Sequence, residues 1–529
     1  MSHRLGNHIK KLILPCIAFS ALTGVISAIF ITAFKIATEY AVHYSTLLYG
    51  MVRSNPNLLP ILIIGCSLLG LGARLILFHS KDCRGGGIPT SIAAIRGIVS
   101  FNWIKGILLL PFSALITFLS GVPLGTEGPC VQMGTAVGDG VSKCFAKRKQ
   151  RGWRRYTMVG GAAAGFSIAT GAPISSVIFS MEELHKKISP LLLTVASISV
   201  IFAQLTAGLF ESFGIGSVQL FHISSLDAME LRYMFVPLLI GLVCGATSIL
   251  FTRLYHLIDK FMRYLSKKIP IMVLFPIIFA LVAVIGFFIS DAIGSGHGLI
   301  DALLHTQERW YLLLLVFLLR MVAMMVSSTS GVTGGIFLPT LAFGAIIGSV
   351  CADILIASGL MPAEFYTLTV VLGITAFLGS TSRIPITACI FAVEALGGIN
   401  NILPIIIVTI AALITVNLSG LEDFTDAVVK SKADAIHQGK EASVIEVSLR
   451  VNKNAFVIGK ELHDILWPNA CSIISFEHTQ NNRHVKEISE GDVISLHYTT
   501  YDPPVTADEL IALVGEQDFE TERIMKAEK

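Results

Sequence analysis

Between Lys105 and Asp139 the only charged residue is Glu127. A carboxylate inside an apolar span costs several kcal/mol at the centre of a bilayer unless it is paired or protonated, and no Lys or Arg lies near it in sequence. It sits in Gly121-Val122-Pro123-Leu124-Gly125-Thr126-Glu127-Gly128-Pro129, where Gly and Pro interrupt the span. In hydrocarbon, unpaired backbone is tolerated only where it is buried in protein or lines a cavity. The break therefore predicts a half-helix starting at mid-membrane, whose free N–H groups and positive dipole end attract an anion. There the Glu127 carboxylate can occupy the anion's own place and, once protonated, leave it. One side chain is then both competitor for the anion and carrier of a proton. The blander readings are a carboxylate that merely caps its helix and small residues that merely permit close packing.

The pattern occurs twice. Gly121 through Gly138 aligns without a gap on Gly331 through Gly348, matching Gly121/Gly331, Val122/Val332, Gly125/Gly335, Pro129/Pro339, Gly134/Gly344 and Gly138/Gly348. After a shift of two residues the match resumes with Gly161/Gly373, Pro173/Pro385, Ile174/Ile386, Ile178/Ile390, Phe179/Phe391 and Glu182/Glu394. Two related halves in one membrane domain predict a transporter with its site where the repeats meet. Glu182 and Glu183 close the segment that begins Ala172-Pro173-Ile174. Beside His185, Lys186 and Lys187, two adjacent acids at a helix end ordinarily form a solvated interface.

The elements that must position these residues are membrane helices. Of the 529 residues 53% are hydrophobic and 14% charged, against about 25% charged in an ordinary soluble domain. Uncharged runs near the roughly 20 residues that cross a bilayer lie at Gly106–Thr126, Thr157–Met181, Ile188–Phe210, Met234–Thr252, Ile269–Ser290, Met321–Cys351 and Gly398–Gly420, with further apolar stretches at Leu12–Phe34 and Leu58–Phe78. The first, behind Arg4, Lys10 and Lys11, has no clear cleavage site and reads as a retained helix. Basic residues gather at Lys147, Arg148, Lys149, Arg151, Arg154 and Arg155, at Lys186 and Lys187, and from Lys260 to Lys268, which places those loops in the cytoplasm. A net charge of +3 gives no reason to expect nucleic acid as a partner. The nine cysteines sit mostly in apolar runs without metal-ligand spacing. His185, His297 and His305 fit interfacial or loop positions better than ligand positions. No metal, cofactor or enzymatic nucleophile is expected.

After about Phe424 the composition turns polar. Ile445, Val447, Leu449 and Val451 alternate with Glu446, Ser448 and Arg450, a half-buried strand. A short helix over Lys460–Leu466, strands over Ser472–Phe476 and Val493–Tyr498, and a helix over Ala507–Val514 complete a small α+β module, residues 440–516. With Gly459-Lys460-Glu461-Leu462 and the turn Gly491-Asp492-Val493 it resembles the TrkA-C domain, the ligand-sensing half of potassium-conductance regulators, so a small ligand is a possible partner.

Gly85-Gly86-Gly87-Ile88-Pro89, Gly125-Thr126-Glu127-Gly128-Pro129 and Gly335-Ile336-Phe337-Leu338-Pro339 resemble, in order and spacing, the three anion-site signatures of the CLC chloride channels and exchangers. The likeness covers nearly all of residues 10–430. It implies an all-α polytopic membrane protein over 1–430, built of two inverted-topology repeats with broken helices (roughly 60–215 and 270–425), which assembles as a homodimer with one anion pathway per subunit. It further implies that Glu127 is the gating glutamate, Glu183 the internal proton-transfer glutamate, and Gly86, Gly87, Ile88 and the amides of Ile336 and Phe337 the anion's surroundings. Phe424 falls where the family has its pore tyrosine. There are departures: Gly86 replaces a serine and Phe424 that tyrosine, removing two hydroxyls, while Thr126 stands for a basic residue and Ile92 near an acid. Loss of both partners of a buried ion pair is self-consistent. Binding should lean on backbone amides, with a weaker central site and looser selectivity.

The expected function is exchange of chloride or a related anion for protons across a cell inner (cytoplasmic) membrane, with the C-terminal module in the cytoplasm and lipid around the helices. The alternative of the same fold is a passive gated chloride channel, against which Glu183 weighs. A cation transporter or regulator, suggested by the C-terminal module, is weakened by the lack of a TVGYG-type filter and of a GxGxxG fold.

Overall fold

The computed structural model describes residues 13–79, 83–99, 102–145, 152–186, 188–217, 219–221, 223, 226–437, 443–453, 455–468, 471–478, 487–515 and 523–526. Arg4, Lys10, Lys11, Lys147, Arg148, Lys149, Arg151 and Lys187, used above to orient the chain, lie outside the described residues. Among the described residues nine helical segments are long and apolar enough to cross a membrane.

The first set of helices is α1 (Leu14–Ser54), α2 (Leu59–Phe78), α3 (Gly87–Ile95), α4 (Trp103–Leu119), α5 (Glu127–Phe145), α6 (Arg154–Thr170), α7 (Pro173–Phe179) and α8 (Pro190–Ser212). The second is α9 (Phe235–Lys268), α10 (Ile271–Phe288), α11 (His297–His305), α12 (Trp310–Thr329), α13 (Phe337–Ala357), α14 (Tyr366–Thr381), α15 (Pro385–Ala395) and α16 (Ile402–Leu418). Two runs that read as single spans are each broken in two. Thr157–Met181 divides where Gly171, at φ 68°, ends α6 in a left-handed turn and Pro173 opens α7, the usual roles of Gly past a helix end and Pro at a helix start. Met321–Cys351 divides between α12 and α13.

The sequence repeat is a packing repeat. A Cβ on Gly134 would overlap the Gly161 carbonyl, so α5 and α6 touch backbone to backbone; the same atom on Gly344 would lie 2.6 Å from the Gly373 carbonyl oxygen, between α13 and α14. Around these pairs α1 packs on α6 and α8 as α9 packs on α14 and α16. The shared neighbours thus reach back to Leu14 and Phe235, N-terminal of the boundaries expected near 60 and 270.

Beyond α16, α17 (Phe424–Ile436) carries the polar sequence out of the membrane body. It leads to an antiparallel sheet of strands β1 (Ser443–Arg450), β2 (Cys471–Glu477), β3 (Val493–Thr500) and β4 (Arg523–Lys526), in the order β2-β3-β1-β4, with α18 (Pro503–Val514) against it. Ile445, Val447 and Leu449 are buried, as the alternation predicts. The helix expected over Lys460–Leu466 is only a 3-10 turn at Leu462–Asp464. Ile465, Leu466 and Trp467 are all buried, and three successive residues cannot face one core from a helix.

This module rests on the membrane body. Phe456 packs edge-on to Trp153, centroids 5.3 Å apart, where Gly152 adds no side chain. The Tyr156 hydroxyl donates to the Asp464 carbonyl (2.6 Å) and accepts from the Leu466 amide (3.2 Å). Glu509 of α18 accepts from Arg154 (3.1 Å) and from Arg155. The Lys460 ammonium lies 3.2 Å from the centre of the Phe456 ring, and burial pulls its pKa down to about 7.

Candidate functional site

Three helix tips meet inside the membrane body: those of α3, α5 and α13. The Gly125 amide donates to the Gly335 carbonyl and the Gly335 amide to the Gly125 carbonyl, both at 2.7 Å. The Gly85 amide donates to the Gly331 carbonyl at 3.0 Å. A Cβ on Gly128 would lie 2.6 Å from the Gly335 Cα, and one on Gly87 would overlap the Gly128 carbonyl. Glycine at these positions is what lets three backbones close on one place. Ile336 is the N-cap of α13 and Phe337 its first residue, so both amides belong to the tip. Gly86 is the N-cap of α3, with Gly87 and Ile88 its first turn.

Glu127 opens α5 and is completely buried, at 0% exposure. Its Oε1 accepts from the Thr126 hydroxyl at 3.2 Å. Oε2 has no hydrogen-bond partner among the described residues. A Cβ on Gly125 would lie 2.5 Å from that oxygen. The carboxylate is thus folded back over Gly125, between the two tips. The sequence placed no base near it, whereas the fold brings up Lys35 of α1, whose Nζ donates to the Ser217 carbonyl at 2.7 Å and whose charge reaches Glu127.

Below the tips, the Phe337 ring stands edge-on to Phe166 (4.9 Å) and Phe391 (5.9 Å), and Phe166 stacks on Phe179 (4.3 Å). Phe424 opens α17 and is buried against Tyr255 (4.8 Å) and Phe251 (5.4 Å). α17 runs along α3, fastened where Lys432 donates to the Arg84 carbonyl at 2.6 Å and to the Thr90 hydroxyl. Neither Gly86 nor Phe424 offers a hydroxyl, so apart from the Thr126 hydroxyl on Glu127 the donors described at the tips are main-chain amides.

The solvated interface predicted for Glu182 and Glu183 does not form. Glu182 caps the start of α15, accepting from the amides of Ile386 (3.0 Å) and Thr387 (2.7 Å) and from the Thr387 hydroxyl (2.7 Å). Glu394 returns the same three bonds to α7, from the Ile174 and Ser175 amides and the Ser175 hydroxyl, at 2.8, 2.9 and 2.9 Å. Glu183 lies in a π-helical turn, Ser180–His185, and is 2% exposed with its Oε2 unpartnered. Among the described residues two buried carboxylates therefore have an oxygen without a hydrogen-bond partner, Glu127 at the tips and Glu183 in the turn after α7. No signal in the sequence revealed Arg320 of α12, which is fully buried and donates to the carbonyls of Asp291, Ile293 and Gly294 at 2.7–3.1 Å. Those bonds make it a structural cation. Among the described residues no cluster of His, Cys, Asp and Glu could hold a metal ion.

Residues 68–417 match the family described as Voltage gated chloride channel. The chain belongs to that family. As a member of it, the protein is 27% identical over 408 residues to "H(+)/Cl(-) exchange transporter ClcA" of Vibrio campbellii, covering 76% of this chain and 86% of the relative. It is 25% identical over 418 residues to the transporter of that name from Yersinia pseudotuberculosis, covering 78% and 86%. Its fold is that of a solved slow cyanobacterial Cl−/H+ antiporter, with a TM-score of 0.72 at 18% identity over 79% of this chain and 98% of that one. It also matches a CLC-type fluoride/proton antiporter, with a TM-score of 0.63 at 20% identity over 76% and 95%. The chain is a polytopic, mostly helical membrane protein of the CLC architecture.

Proposed function

We propose that this protein is a secondary active antiporter that exchanges chloride for protons. The observation that carries the reading is Glu127, a fully buried carboxylate lodged between the amide-lined tips of α5 and α13. Deprotonated, it holds the place an anion would take; protonated, it loses its attraction for the amides and yields that place. Glu183 is the internal proton donor and acceptor. Gly86, Gly87, Ile88, Ile336 and Phe337 surround the anion, and Phe424 bounds its path on the inner side. The relatives named as H(+)/Cl(-) exchange transporters support the same assignment.

The protein works as a homodimer in a bacterial inner membrane, each copy with its own path. The C-terminal module is a cytoplasmic, TrkA-C-like regulator. In support, Arg154, Arg155, Lys186 and Arg263 all bond to the module or to α17, so the basic segments lie on that one side. Purified protein in liposomes tests the function: an imposed chloride gradient is expected to drive protons uphill. Chloride flux without proton movement would overturn the antiporter in favour of a passive channel.

A further inference from the structure

The C-terminal module meets the membrane body at the ends of α3 and α5 that lie away from the tips, and at the start of α6. Glu509 of α18 stands at the centre of that contact. One of its carboxylate oxygens accepts from Arg154 at 3.1 Å and the other from Arg155. Arg154 turns its Nε to Asp139, a fully buried residue of α5, at 2.6 Å, and Lys143 of the same helix donates to the other Asp139 oxygen at 2.6 Å. Arg155, itself buried, lies instead against the end of α3. A Cβ on Gly97, the second residue past that helix, would lie 2.6 Å from the Arg155 Nη2 and 3.2 Å from the Glu509 Oε2. The same end of α3 is held again next to it, where the His437 ring donates to the Ile98 carbonyl at 2.8 Å and stacks on Tyr501 of the module, ring centres 4.2 Å apart. A Cβ on Gly138 would overlap the Thr157 carbonyl, so α5 and α6 touch backbone to backbone within a turn of Arg154 and cannot shift separately there. α3 has nine residues, a length of roughly 13 Å, so displacement of its end at Gly97 reaches Gly86 and Ile88.

We propose that Glu509 is a positioning residue for the anion site: pairing with Arg154 and Arg155 at once, it sets the ends of α5 and α3, whose other ends are two of the three tips. This rests on the antiporter reading, in which those tips hold the anion. Glu509 belongs to the module and touches no transported ion. Its influence is electrostatic. Arg154 keeps Asp139 when Glu509 is lost, whereas Arg155 has no second carboxylate among the described residues. A buried guanidinium without its counter-charge is costly. Arg155 and the end of α3 packed on it then move together, and Gly86, Gly87 and Ile88 draw away from the anion. The module thereby acts on transport through one ion-pair cluster, and whatever lifts α18 from the membrane body acts in the same sense.

The test is chloride uptake into liposomes by the full-length protein, read as the half-saturating chloride concentration and the maximal rate. Glu509→Gln is expected to raise the half-saturating concentration roughly fivefold and to leave the maximal rate within about twofold. A module that merely rests on the membrane body would leave that concentration unchanged, and this result, or a loss of rate alone, overturns the proposal. Adding Arg155→Gln to Glu509→Gln removes the unpaired charge and is expected to bring the concentration back to within about twofold of the unmodified protein. A double variant as weak as the single one also overturns it. Should Glu509→Gln not fold, Gly97→Ala carries the test from the membrane side: its methyl group presses on Arg155 and Glu509 and is expected to raise the same concentration, and an unchanged value overturns the proposal. If a chloride gradient moves no protons in the unmodified protein, the antiporter reading falls, while the chloride half-saturation still decides for or against Glu509.

Discussion

In the first half the residue that opens the broken helix α5 is Glu127; at the same place in the second half, opening α13, stands Phe337. Aligning Pro173 on Pro385 likewise pairs Glu183 with Ala395 and Gly171 with Arg383. Around these differences the halves agree closely: the glycine contacts between α5 and α6 recur between α13 and α14, and Glu182 and Glu394 cap each other's helices. Shared residues build the frame, and unshared ones give it a direction. Both acids assigned to protons lie in the first half, where the second has a ring and a methyl group. The left-handed turn that Gly171 adopts without strain is held in the second half by Arg383, at φ 52°, whose guanidinium donates to the Leu421 carbonyl. That conformation costs an L-residue about 1 kcal/mol or more. The Gly171 copy borders a cavity with Glu394, and the Arg383 copy borders the one with Glu182.

The sharpest test of this division removes an unshared acid. Glu127→Gln is expected to bring proton flux in liposomes to background, and Glu183→Gln to abolish proton flux while chloride still moves; coupling retained in both would erase the asymmetry. Next come the shared glycines. Gly134→Ala forces a methyl into the Gly161 carbonyl and should cost about 3 kcal/mol, against roughly 1 kcal/mol for Gly344→Ala, whose clash is milder. Thermal denaturation in detergent reads the difference. The reciprocal caps should then prove equal: Glu182→Gln and Glu394→Gln each lose a charged acceptor from a helix start, about 1–2 kcal/mol. Unequal melting shifts would show that one cap has a further duty.

A smaller effect is expected at the first signature. A Cβ on Gly86 meets nothing closer than the Pro89 Cδ at 3.5 Å, so Gly86→Ser fits and adds a donor. Chloride affinity measured by calorimetry should rise about fivefold. The smallest effect falls outside the membrane. Below about pH 7 Lys460 is charged whether the module is docked or free, and the docked state carries the whole burial penalty. Between about 7 and the ordinary value of 10.5 the docked side chain sheds its proton while the free one keeps it. Docking therefore tightens as pH rises through that window. Protease protection of the module should follow, and Lys460→Met should flatten the dependence.

The frame was legible because its signals are local. Gly and Pro in an apolar run leave few options for a backbone that cannot bond to lipid, so the tips at Gly86, Glu127 and Phe337 could be placed from residue order alone. The alternation from Ile445 to Val451 fixed a strand in the same way. What depends on distant partners was not legible. Glu183 reads as solvated next to Lys186, and the packing of its turn against α3, α6 and α8 makes its site dry. Glu182 and Glu394 aligned in the repeat, yet nothing in the sequence says that each caps the other's helix. Lys35 lies far from Glu127 along the chain, and Arg320 gives no hint of the three carbonyls that hold it.

The paired bonds between Gly125 and Gly335 restrict how such a machine can cycle. Many carriers alternate by rocking one repeat against the other, which here would break a two-rung ladder that joins the halves. The halves are riveted where other carriers are hinged. On the proposed reading, turnover comes from movement of the Glu127 side chain while that ladder stays closed.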